Sequence, residues 1–68
     1  VVPYLVLEVL YQSKKYKEAI TYVTSLESKY PDLKNQEDIA LLTGETYFLL
    51  KNYTAAIQYY ENYLSFQP

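Results

Sequence analysis

The sequence matches itself at an offset of 37 residues, and this internal repeat limits the fold more than any other feature. Leu5 pairs with Leu42, Glu8 with Glu45, Lys14 with Lys51 and Tyr16 with Tyr53. Ala19 and Ile20 then pair with Ala56 and Ile57, Tyr22 with Tyr59, Ser28 with Ser65 and Pro31 with Pro68. These nine identities keep register without a gap. The first copy runs over about 1–33 and the second over about 36–68, within a single domain spanning 1–68.

Each copy reads as two helices. Pro3 suits an opening helical turn, where its missing N–H costs nothing. Apolar residues continue to Tyr11, and Gln12-Ser13-Lys14-Lys15 reads as a turn. A second helix carries Tyr16, Ala19, Ile20, Val23 and Leu26 inward at helical spacing, with Lys29 near its C-terminus, where a cation favours the dipole. Pro31 stops it, because a residue before proline is pushed out of the α region. In the linker, Asn35 is the expected N-cap of a third helix over about 36–50, with Glu37 and Asp38 in its first turn. Lys51-Asn52 is the next turn. A fourth helix carries Tyr53, Ala56, Ile57, Tyr60 and Leu64 inward and ends at Pro68. The expected class is all-α.

Composition removes most chemistry. The 68 residues include no His, Cys or Arg. The commonest general base, the commonest metal ligands and any disulfide are therefore missing. With a net charge of −2 and only six lysines, nucleic acid is not an expected partner. One Gly cannot build a phosphate loop. Apolar stretches fall short of the roughly 18 residues of a membrane span. The paired carboxylates Glu8 and Glu45 resemble an acid–base pair only in residue type, and they read better as solvated groove residues. No catalytic residue, metal site or cofactor is expected. The chain lacks an initiator Met and reads as a piece of a longer protein.

The second copy carries a known signature. Ala40-x2-Thr43-Gly44-x2-Tyr47, then Ala56-x3-Tyr60, then Pro68 resembles the tetratricopeptide pattern W-x2-L-G-x2-Y, A-x3-F, P. In the first copy the same slots hold Pro3, Val6, Leu7, Leu10, Ala19, Val23 and Pro31. Leu7 departs from the expected small residue, which implies either a wider separation of the first two helices or a terminal-like variant of the repeat. The resemblance implies two helix-turn-helix hairpins stacked as a short right-handed solenoid. The residues agree independently. Gly44 inside a helix costs about 1 kcal/mol relative to Ala, so close approach of a partner helix is the expected reason for it.

In that family the first helix of each repeat lines a concave groove that holds a peptide. The matching residues here are Tyr4, Glu8 and Tyr11 in the first copy and Leu41, Glu45 and Phe48 in the second. The resemblance thus implies a protein-interaction scaffold whose partner is a peptide with apolar and basic side chains. The Lys/Asn clamp of the chaperone-tail binders is missing: its slots hold Val1, Tyr4, Leu5, Glu8, Asp38, Leu41, Leu42 and Glu45. The alternative is a segment of a longer solenoid that self-associates as a homo-oligomer. Its expected surface is the apolar end at Tyr59, Tyr60, Tyr63 and Phe66, which no polar capping helix follows. In style the second copy is similar to repeats of bacterial envelope-associated members of the family. That similarity leans toward a bacterial cytoplasm or cell envelope, although the sequence itself fixes no compartment.

Overall fold

A computed structural model describes residues 3–32 and 36–65. Four helices follow one another: α1 Pro3–Gln12, α2 Tyr16–Lys29, α3 Glu37–Leu49 and α4 Tyr53–Leu64. There is no strand among the described residues. Pro3 opens α1, and α2 ends where Tyr30, before Pro31, leaves the α region at φ −129° and ψ 83°. Asn35, the expected cap of α3, lies outside the described residues. Gln36 occupies the cap position with extended backbone and without a side-chain capping bond.

The repeat extends to the backbone of the turns. Lys14 and Lys51, matching residues, both take positive φ, 62° and 64°. Each follows a helix end with the same pair of hydrogen bonds. The N–H groups of Lys14 and Lys15 donate to the carbonyls of Tyr11 and Leu10, at 3.0 and 2.9 Å. Those of Lys51 and Asn52 donate to Phe48 and Tyr47, both at 2.9 Å. These are paired Schellman closures, which normally place Gly at the left-handed position. The two hairpins differ at the next step. Asn52 Oδ1 accepts from the Ala55 N–H at 3.4 Å and caps α4, whereas Lys15 makes no side-chain cap on α2.

α3 is the central element and packs on α1, α2 and α4. It is accordingly buried through Ile39, Ala40, Leu42, Thr43, Gly44 and Thr46, while Asp38, Leu41, Glu45 and Phe48 lie on its open side. The main cluster joins Leu7 of α1, Ala19 and Val23 of α2, and Ile39 and Leu42 of α3. Tyr4, Leu10, Tyr11, Tyr22 and Leu26 pack around it. Removing a side chain of this depth costs about 2–5 kcal/mol, as in Leu→Ala, which is a large share of the stability of so short a chain.

The seam inside each hairpin is filled in opposite ways. In the second, Gly44 leaves room for the Tyr60 ring: a Cβ on Gly44 would stand 2.9 Å from two of its carbons. In the first, the matching positions hold Leu7 and Val23, a large residue where Gly44 is small and a smaller one where Tyr60 is large. Both are fully buried. The departure at Leu7 is thus one half of a size exchange whose other half is Val23.

One expectation is corrected. On α4 only Ala56 is buried, and Tyr60 is half-buried, while Tyr53, Ile57 and Leu64 are more than half exposed. Their helical spacing defines a face, but it stays largely exposed, with the Phe48 ring of α3 packed on it at Tyr53. α4 packs along α3 and not along α2, and its Tyr59 side chain reaches Glu27 of α2.

Candidate functional site

α1 and α3 lie side by side and place matching residues on one surface. On α1 these are Tyr4, Glu8 and Tyr11, spaced by four and three residues; on α3 they are Leu41, Glu45 and Phe48, with the same spacing. This spacing keeps each set on one helical face. The Tyr4 hydroxyl donates to Glu8 Oε2 at 3.3 Å, one turn along α1. The Tyr11 hydroxyl crosses to α3 and donates to Glu45 Oε2 at 3.2 Å. Each carboxylate therefore accepts from a tyrosine and keeps other lone pairs for a further donor.

Electrostatics bind these groups into one patch. Burial raises the Tyr4 hydroxyl above its usual pKa, and the negative charges of Glu8, Asp38 and Glu45 raise it further. Burial also raises Tyr11 and Tyr60, with Glu45 adding to both. The Tyr4 and Tyr11 hydroxyls are thereby kept protonated as donors to Glu8 and Glu45. Asp38, three residues before Leu41, joins the patch. The series 38, 41, 45 and 48 is a single helical stripe, so the spacing alone was enough to include it.

Leu41 is half-buried and borders a shallow recess of 360 Å³ shared with Glu37, Asp38 and Tyr63. Phe48 is exposed at the other end of the stripe, where its ring packs on Tyr53 with centroids 5.6 Å apart. The structure therefore gathers Tyr4, Glu8, Tyr11 and Glu45 closely, with Leu41 and Phe48 at the two ends.

The residues expected at a self-association surface are divided. Tyr59 turns toward α2: its hydroxyl donates to both carboxylate oxygens of Glu27 at 2.9 Å, and its ring stacks on Tyr47 at 5.6 Å. Tyr60 covers Gly44, and Tyr63 is half-buried beside the recess. Phe66 lies outside the described residues. The Tyr59–Glu27 bond joins α4 to α2 across 32 residues of sequence, and no local pattern marks such a pair in advance.

Among the described residues no group of three or more Asp or Glu side chains is placed to hold a metal ion, and no helix is long and apolar enough to cross a membrane. Comparison with family models, with curated proteins and with solved structures gave no significant match.

Proposed function

We propose that the chain is a two-repeat module of tetratricopeptide type that binds a polypeptide carrying basic and apolar side chains along the α1–α3 face. Three features support the repeat type: α3 packed on both preceding helices, the Gly44–Tyr60 approach, and paired turns at the repeat offset. The observation that carries the binding reading is the Tyr11–Glu45 bond. It ties the two helices into one surface on which Tyr4, Glu8 and Asp38 also act. Such a surface suits Lys and Arg twice over, through carboxylates already oriented by hydroxyls and through aromatic faces that attract cations. Apolar side chains of the partner would rest on Leu41 and Phe48. The side-chain inventory, without His, Cys or Arg, favours binding over catalysis.

Fluorescence titration with extended peptides tests this reading. A peptide alternating Lys and Leu should bind, with an affinity that falls as salt rises, while an otherwise equal Glu/Leu peptide should not. The Glu8→Gln, Glu45→Gln pair should remove the preference for the basic peptide. Equal binding of the two peptides, or full affinity in a Tyr11→Ala, Phe48→Ala variant, would sink the idea.

A second reading, a stacking segment of an array, is favoured by the exposed apolar residues Tyr53, Ile57 and Leu64 on α4.

A further inference from the structure

The two hairpins hold equivalent positions in the repeat but differ in what covers them, and the differences fall on two faces. On the trailing face, Tyr11, Tyr16, Ile20 and Glu27 of the first hairpin are half-buried. The residues 37 places on, Phe48, Tyr53, Ile57 and Leu64, are exposed by 52%, 53%, 55% and 59%. On the leading face the order reverses. Leu5 and Val9 of α1 are 55% and 62% exposed, while their counterparts Leu42 and Thr46 on α3 are 8% and 0% exposed. Six of the eight large hydrophobic side chains exposed among the described residues belong to these two faces.

The cause is visible within the chain at Leu42 and at Glu27. Leu42 lies in the cluster with Leu7, Ala19 and Val23, so the leading face of the second hairpin is covered by the first. Glu27 is covered from the other side, where Tyr59 of the second hairpin reaches it. Leading and trailing faces of this repeat therefore fit one another, and among the described residues one of each is left exposed.

We infer that a second copy of this chain docks head to tail, placing Leu5 and Val9 of its α1 on the α3–α4 face formed by Phe48, Tyr53, Ile57 and Leu64. This deepens the stacking reading and shares Leu41 and Phe48 with the peptide-binding reading, so a docked copy and a bound peptide would compete there. Its register is the one already used between the two hairpins. Leu41 and Tyr63, which border the open recess, match Tyr4 and Leu26, which flank the cluster containing Ile39 and Leu42. The recess is thus the place equivalent to the one Leu42 fills inside the chain, and Leu5 of the incoming copy is its occupant. Leu5 and Val9 on one side and Phe48, Tyr53, Ile57 and Leu64 on the other carry no charge, while Glu37 and Asp38 border the recess and keep their carboxylates at its rim. The two faces lie on opposite sides of the stack. The contact is therefore heterologous, and it extends into an open chain of copies instead of closing as a two-fold dimer.

Sedimentation velocity on the whole chain and on two variants tests this. The wild type should grow in mean mass from micromolar to millimolar concentration and pass the dimer. Val9→Glu blocks the leading face and Ile57→Glu the trailing face. Both positions are exposed, and circular dichroism should show both variants helical. Each variant alone should stay monomeric, and an equal mixture should form a one-to-one dimer and nothing larger. Self-association of the wild type with variants that remain monomeric on mixing overturns the head-to-tail register and leaves only some other stacking contact. A wild-type monomer at every concentration overturns the register and the stacking reading together.

Discussion

The Tyr60 ring lies so close to the Gly44 backbone that a Cβ added there would meet two ring carbons at 2.9 Å and Tyr59 Cβ at 3.4 Å. A helical Gly→Ala change alone gains about 1 kcal/mol from propensity. Overpacking costs about 1–3 kcal/mol, so on balance Gly44→Ala should destabilise by up to about 2 kcal/mol. The first hairpin already solves the same seam with Leu7 and Val23. A Gly44→Leu, Tyr60→Val double variant should therefore be more stable than Gly44→Leu alone, which thermal unfolding by circular dichroism will show. Equal stability of the two would mean that the ring does not set the limit at Gly44.

The left-handed lysines carry a second expectation. A residue with a Cβ costs about 1–2 kcal/mol in this conformation, and Gly returns about half of that as extra freedom of the unfolded chain. Lys14→Gly and Lys51→Gly should each stabilise by about 0.5–1 kcal/mol. For a chain of this size that raises the midpoint of thermal unfolding by several degrees, on the scale of roughly 4–8 °C per kcal/mol. A fall in the midpoint for both variants would contradict the turn geometry.

Much of the architecture is legible in the sequence. The repeat offset, the stop at Pro31 and the close approach at Gly44 each follow from a local rule, and four helices result. The turns were placed, but their left-handed lysines were not, because Lys carries none of the signal that Gly or Asn gives at such a position. Spacing also put Tyr53, Ile57 and Leu64 on one face of α4, yet spacing says only that a face exists, not that anything covers it. Of the candidate site, the two carboxylates and their tyrosines could be read from matching slots. The Tyr59–Glu27 bond could not, since it depends on how far the Tyr59 side chain reaches past α3 toward α2.

Thr43 is fully buried, and its hydroxyl has no hydrogen-bond partner, whereas the Thr46 hydroxyl donates to the Leu42 carbonyl at 2.8 Å. An unpaired buried polar group costs about 1–3 kcal/mol, and valine has nearly the same shape. Thr43→Val should therefore stabilise by about 1 kcal/mol, and Thr46→Val by less. Chemical denaturation of the two variants side by side decides it, and a larger gain at Thr46 would overturn the assignment.

Alkali should unfold the chain through its tyrosines. Burial, then the bond to Glu27, raises the Tyr59 hydroxyl above the usual 10.0, and Tyr4, Tyr11 and Tyr60 shift the same way. The unfolded chain releases these protons near pH 10, while the folded chain still holds them. Stability is thus present in full below that pH and declines as pH rises above it. Tyr59→Phe should make the decline shallower. An unchanged alkaline profile in that variant would remove Tyr59 from the account.

The central claim is that the α1–α3 face receives a basic and apolar polypeptide, and NMR mapping on the isotope-labelled chain tests it most directly. Titration with a Lys/Leu peptide should shift the amides of Tyr4, Glu8, Tyr11, Leu41 and Glu45 first, with Ile57 and Leu64 nearly still. Shifts confined to α4, or none at millimolar peptide, would contradict it.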